Sequence, residues 1–257
     1  MVAQFERGIL QRYITSASTQ QRHQSKLLSL LDWIYRFQFT STSVIEELWG
    51  LDRSTINRML RRYLREELIA EVPTFCCRDK RLFFLKTAGL KVLEQFHNES
   101  LKYNGKPSTL NFKTCTHDLM VQALVAKGCF EGKYKFYITE REQTKEGLQR
   151  KRRFDAIVFE VESAELVAIE VEASAKTIPS RLGILQSTYR AITDENRVSR
   201  VLYFSHKRRY LTDAARIHQK LFDRPENHLN EAWFKEHLKI VYSREVMDLL
   251  YHKFWLH

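Results

Sequence analysis

The chain has 257 residues and a formal net charge of +11, and 44% of its residues are hydrophobic. That hydrophobic share supports a packed core and excludes global disorder, and the length suits one large or two small domains. The basic excess points to a polyanionic partner, with nucleic acid ahead of a membrane surface because no amphipathic anchor is evident.

No run of 18 or more apolar residues occurs, so no membrane span is expected. Residues 1–12 lack the apolar region and cleavage site of a signal peptide, which leads us to expect a cytoplasmic protein. The spacing of Cys76, Cys77, Cys115 and Cys129 fits neither a zinc knuckle nor a disulfide framework, so four reduced thiols are expected.

Residues 1–24 are polar and rich in Gln, Ser and Thr, and read as a loosely held arm with a short helix over 5–13. Leu27, Leu30, Leu31, Ile34 and Phe37 recur at helical spacing. Thr40 to Ser43 supply turn and cap residues for a second helix over 44–49, which Gly50 ends in a tight turn. Asp52 or Ser54 caps a third helix to about Glu67, with Ile56, Leu60 and Leu64 inward. Strands are predicted over 69–75 and 82–85 about the charged turn Arg78 to Lys80, then a helix over 87–96. This is the element order of a winged helix-turn-helix, placed at 25–100.

The third helix carries Arg53, Ser54, Asn57, Arg58, Arg61, Arg62 and Arg65 on its polar side. A helix in the major groove reads bases mainly with its N-terminal residues, so Arg53, Ser54, Asn57 and Arg58 are candidate base contacts. Arg61, Arg62 and Arg65 are candidate phosphate contacts, and Arg78, Lys80 and Arg81 are placed to reach an adjacent groove or backbone. A solvated charged face, or a winged helix used for protein contacts, is the competing reading.

Residues 97–109 hold Asn, Ser, Gly and Pro and read as a linker to a second domain at 110–257. There the pattern predicts a helix over 114–127, strands over 135–139, 154–161 and 166–172, a helix over 179–193, a strand over 200–205 and a helix over 211–222. With Glu162 to Glu165 as the turn, the second and third of these strands pair antiparallel with 161 opposite 166. Ile157 then faces Glu170 and Asp155 faces Glu172, so three carboxylates share one patch. Like charges placed together are destabilising, and a divalent cation would compensate them.

Asp155, Glu170, Glu172 and Lys176 are therefore the favoured catalytic residues, with the three acids as candidate metal ligands. Glu140 and His117 are further candidates. Each has a bland alternative: Asp155 pairing with Arg152 or Arg153, the two glutamates lining an exposed sheet face, Lys176 on the surface, His117 in a structural role. Lys151 and Arg152, within the basic run 150–153, and the run 207–209 read as phosphate contacts or as solvated loops. Tyr189, with Arg181 and Gln186 on the helix after the site, is a candidate cleft residue and also a candidate core tyrosine. Trp233, Phe254 and Trp255 in the closing tail would pack on the core or bind a partner.

The pattern of Asp155, then Glu170-Val-Glu172 at a strand end with Lys176 nearby, resembles the PD-(D/E)XK nuclease superfamily over about 110–205. That resemblance implies an α+β domain with a mixed sheet flanked by helices, in which the Asp and the first Glu bind magnesium and a Lys positions or activates water. Two departures stand out: Phe154 replaces the expected Pro, and Glu172 occupies the usual Lys position. Together with the preceding winged helix, the residues Thr116-His-Asp-Leu119, Arg153-Phe-Asp-Ala-Ile-Val158, Glu170 to Lys176 and Leu185 with Tyr189-Arg190 resemble the replication-relaxation family, in particular the MobC-type mobilisation relaxases. The resemblance implies binding of double-stranded DNA at a plasmid origin of transfer and nicking of one strand with Mg2+ or Mn2+, alongside an accessory mobilisation protein and a coupling ATPase. None of the nine histidines forms a His-x-His pair, so a relaxase of this sequence would depend on carboxylates. The alternatives are a non-catalytic replication or transcription regulator with a degenerate nuclease fold, and a dimeric restriction-type endonuclease.

Overall fold

A computed structural model describes residues 16–145 and 152–243, without the side chains of 144 and 145. The predicted helix at 5–13, Arg150, Lys151, Phe254 and Trp255 lie outside the described residues. The chain is α+β and divides into two compact units within strand β3, between Phe136 and Tyr137. The composition of 97–109 had pointed to a boundary there. Instead the helix that follows stays with the first unit.

In the first unit, α1 (Thr19–Phe37), α2 (Thr42–Trp49) and α3 (Arg53–Arg65) precede the hairpin β1 (Ile69–Pro73) and β2 (Arg81–Leu85), then α4 (Thr87–His97) and α5 (Phe112–Phe130). The polar N-terminal stretch is helical from Thr19 onward, because the Ser18 hydroxyl caps the helix by accepting from the Gln21 N–H. Ser41 and Asp52 cap α2 and α3 in the same way. Gly50 ends α2 at φ +60°, as expected, and a Cβ there would fall 2.1 Å from the Phe130 ring. Two buried indoles find partners: Trp33 Nε1 donates to Gln122 at 3.0 Å and Trp49 Nε1 donates to Ser29 at 3.0 Å. Thr40 extends the hairpin by bridging to Phe83.

The second unit is built on a mixed sheet of order β3-β4-β5-β6-β7. After β3 (Tyr134–Thr139) and the short α6 (Glu140–Lys145), β4 (Ala156–Glu160) and β5 (Glu165–Val171) run antiparallel. Helix α7 (Ile178–Thr193) then crosses to β6 (Arg200–Ser205), parallel to β5; α8 (Arg208–Phe222) and α9 (Glu231–His237) lead to β7 (Leu238–Tyr242), parallel to β6. Crossover helices bury a sheet on both faces. Ile157, Ala168, Val201 and Tyr203 pack with Leu185 and Ala191 of α7, Leu221 of α8 and Phe234 of α9. On the other face Ala156, Val158, Val167, Ile169, Val171, Leu202 and Phe204 are buried as well.

The β4–β5 register differs from the expected one. Glu160 pairs with Glu165 and Ile157 with Ala168, so the turn is residues 161–164 and begins one residue earlier. Ala164 takes a positive φ of 55° to close it. The slip is one pair, two residues in total, which leaves every side chain on its predicted face. Asp155 is not within β4 but immediately before it, and the continued register sets it across from Glu170 rather than Glu172.

One side chain substitutes for a strand ahead of β4. Gln143 on α6 is buried and both donates to the Phe154 carbonyl at 2.8 Å and accepts from the Phe154 N–H at 3.0 Å. The amide thereby satisfies both backbone groups of a buried residue.

Candidate nucleic-acid interface and acidic ladder

Helix α3 separates into an apolar and a cationic side. Ile56, Leu60 and Tyr63 are buried, while Ser54, Arg58, Arg61 and Arg65 are exposed. The exposed four stand at spacings of four, three and four, so they form one straight stripe along the helix. Arg62 lies off this stripe and pairs with Glu66 at 2.6 Å.

The other two predicted base contacts are committed within the fold. Arg53 pairs with Glu46 at 3.2 Å and with Asp79 of the β1–β2 turn. The Asn57 carbonyl oxygen accepts from Arg81 at the start of β2. Asp79, with no exposed side-chain surface, also accepts from the Ser43 N–H at 2.7 Å and from its hydroxyl at 3.1 Å. The hairpin turn is therefore fastened to the N-terminal end of α3 and to the start of α2. In that turn Lys80 is exposed and Arg78 half-buried.

The acids of the second unit lie along one line at the end of β5, each with a defined neighbour. Asp155 Oδ2 accepts from the Val171 N–H at 2.6 Å. Glu170 pairs with Arg152 at 2.8 Å, and the same guanidinium donates to Ser187 on α7 at 3.2 Å. Glu172, just past β5, pairs with Arg181 of α7, both side chains being at least 98% enclosed. Burial pushes the Glu172 carboxyl up, and Arg181 pulls it back toward the charged form. One Glu172 oxygen and two Arg181 nitrogens are buried without hydrogen-bond partners.

Sequence reasoning therefore brought Asp155, Glu170 and Glu172 to one strand step, but the partners it assigned to the acids differ. Arginines lie where a cation was expected. Among the described residues, no group of three or more His, Cys, Asp or Glu side chains is arranged to hold a metal ion. With Glu172 sealed beneath Arg181, the trio as placed does not fit a divalent ion. Lys176 is exposed in the loop before α7. Glu140 is half exposed and pairs with Arg153 at 3.6 Å. His117 belongs to the first unit and pairs with Asp118 at 3.1 Å. Tyr189 packs against Trp233, with ring centroids 4.7 Å apart, which makes it part of an aromatic cluster.

Arg181 as the deepest cation was not identified as a partner from sequence, nor was His218 on α8. Burial and Arg181 lower His218 to a pKa of about 4. The one available signal was an arginine at position 181 on the inward face of a helix, in register with Leu185 and Thr188. Among the described residues no helix is long and apolar enough to cross a membrane. Comparison with protein-family models, curated proteins and solved structures finds no match.

Proposed function

We propose that this chain is a site-specific duplex DNA-binding protein. Its first unit acts as a winged helix-turn-helix, with α3 in the major groove and the β1–β2 turn as the wing. The observation that carries the reading is the straight stripe Ser54, Arg58, Arg61 and Arg65 opposite a buried apolar seam. Arg58 and Ser54 sit toward the N-terminal end, which favours base contacts, and Arg61 and Arg65 favour phosphates. Arg53 and Asn57 instead fix the wing against α3. The reversal Arg58→Glu with Arg61→Glu tests this by titration of a labelled duplex at several salt concentrations. Binding should weaken, and the slope of log K against log salt should fall by about 2, near one unit per lost phosphate contact. Unchanged affinity and slope would reject the assignment.

For the second unit we propose the nuclease-like fold that the resemblance to PD-(D/E)XK proteins implies, and single-strand nicking at a plasmid origin as its activity. The support is the strand order β3-β4-β5-β6 with α7 between β5 and β6, and Asp155 beside Glu170 on adjacent strands. These two acids are the ones we retain for a magnesium site, once Arg152 turns from Glu170 toward a DNA phosphate. A divalent ion there would supply a polarised phosphoryl oxygen and a bound hydroxide. Asp155 and Glu170 would hold it, and Arg152 would hold the backbone. The second reading, a non-catalytic regulator, is favoured by the two arginine pairs, which compensate the acids without any ion. Supercoiled plasmid carrying the cognate site, incubated with magnesium or chelator, separates them. Metal-dependent open circle that Asp155→Ala and Glu170→Ala abolish supports nicking, linear product supports a restriction enzyme, and no conversion supports the regulator.

A further inference from the structure

We propose that Phe75 and Phe112 form a stacking platform for unpaired DNA bases beside the duplex that α3 binds, an inference that rests on the DNA-binding reading above. Phe75 sits in the β1–β2 turn with 87% of its surface exposed, and Phe112 opens α5 with 56% exposed. These are the two most exposed large hydrophobic side chains among the described residues. The Cys76 thiol donates to the Phe112 carbonyl at 3.5 Å and the Thr116 hydroxyl to the Cys76 carbonyl at 2.7 Å, so the two segments meet.

An apolar ring in solvent on a floppy loop would carry little meaning, but this turn is held firmly. Thr74 and Lys80 close it with a backbone bond of 2.9 Å, and Lys80 bonds back to Cys77 at 3.1 Å. Asp79 ties it to Ser43 and Arg53. A ring presented on a fixed backbone loses little freedom when a base stacks on it.

The surroundings select the partner. Lys80 and Lys113 are exposed, and Arg78 is half-buried in the same turn; Asp118, the nearest acid along α5, is engaged by His117. Aromatic faces set among cations suit a nucleobase with its phosphate, since stacking is tolerant of sequence and the backbone is anionic. A protein partner would need a far larger continuous apolar area than two rings supply. The turn is joined to the N-terminal end of α3 through Arg53–Asp79 and Arg81–Asn57, which sets the platform at the end of the helix that approaches bases. Bases unpaired at a nick or at a melted origin would find it there.

The test uses the full chain with fluorescent DNA of mixed sequence, a duplex of about 30 base pairs made blunt or with a tail of about ten thymidines, a length within the usual single-strand site size. The tail should tighten binding by roughly 5- to 100-fold, the range for one or two stacked bases. Phe75→Ala and Phe112→Ala should each remove most of that gain and leave blunt-duplex affinity and the urea midpoint unchanged, and 2-aminopurine in the tail should lose its fluorescence change. Equal affinity of the wild type for tailed and blunt DNA overturns this inference and leaves duplex recognition standing. Loss of blunt binding in Phe75→Ala also overturns it, by making the ring a duplex contact. Failure of the wild type to bind either DNA overturns both readings.

Discussion

Arg53 and Asp79 form an ion pair that joins the first turn of α3 to the turn of the β-hairpin, and Asp79 has no side-chain surface left in contact with water. A carboxylate so enclosed depends on its partner, because desolvation without compensation is costly. Replacing Arg53 by Gln should destabilise the first unit by about 2–3 kcal/mol, toward the low end of a broken buried pair because Arg53 itself is a third exposed. Urea unfolding monitored by tryptophan fluorescence measures it. A change within error would mean that the two Ser43 bonds suffice for Asp79. The same variant should lower DNA affinity indirectly, by releasing the wing.

Gly50 combines a positive φ with a missing Cβ against the Phe130 ring. Gly50→Ala should therefore cost about 1–3 kcal/mol, through overpacking between α2 and α5 together with backbone strain. Double replacement with Phe130→Leu separates the two causes. If the loss is steric, the second change recovers much of it. If it is conformational, the loss persists.

His218 gives the second unit a sensitivity to acid. Burial and the neighbouring Arg181 hold its pKa at about 4, against 6.5 for the free side chain. The folded value lies below the unfolded one, so the unfolded chain binds the proton more tightly. Stability from this group is complete above pH 6.5 and is lost as pH falls toward 4, by about 3 kcal/mol over that window. His218→Gln should flatten the pH dependence of the denaturation midpoint between pH 6.5 and 4. An unchanged profile would assign acid sensitivity to other groups, with His206, also lowered to about 4, the next to replace.

Arg152 distinguishes the two readings of the acidic ladder without recourse to turnover. Arg152→Met takes the guanidinium from Glu170 and should lower stability by about 1.5–3 kcal/mol, the range for a hydrogen bond to a charged group. If Asp155 and Glu170 accept a cation, magnesium should restore part of that loss, since a ligand that binds the folded state stabilises it. Thermal unfolding of the variant with and without magnesium reads this directly. No magnesium effect would assign Arg152 as the permanent partner of Glu170.

The fold was legible where local periodicity carries it. The spacing of Leu30, Leu31 and Ile34 marked α1, and the sheet faces of β4 and β5 followed from alternation. The register was off by one pair because Val161-Glu-Ser-Ala164 contains no Gly or Pro to mark the turn, and Ala164 supplies the left-handed residue instead. The partners of the acids were not legible at all. Arg181 reaches Glu172 from a different element, and nothing in local spacing records which of 42 basic residues will enter a given pocket. The roles of Arg53 and Asn57 were misread for the same reason: a polar residue on a helix face looks alike whether it meets DNA or a hairpin.

The double bond between Gln143 and Phe154 has a consequence for how the second unit tolerates alteration. It closes a ring of chain from 143 to 154 with a single amide, so the sheet does not depend on the stretch in between to hold its ends together. Lengthening a closed loop adds only slowly to its entropic cost. A foreign peptide or a fluorophore grafted at 147–149 should leave the strands beyond it assembled, which makes this the natural place to label the protein while following it on DNA.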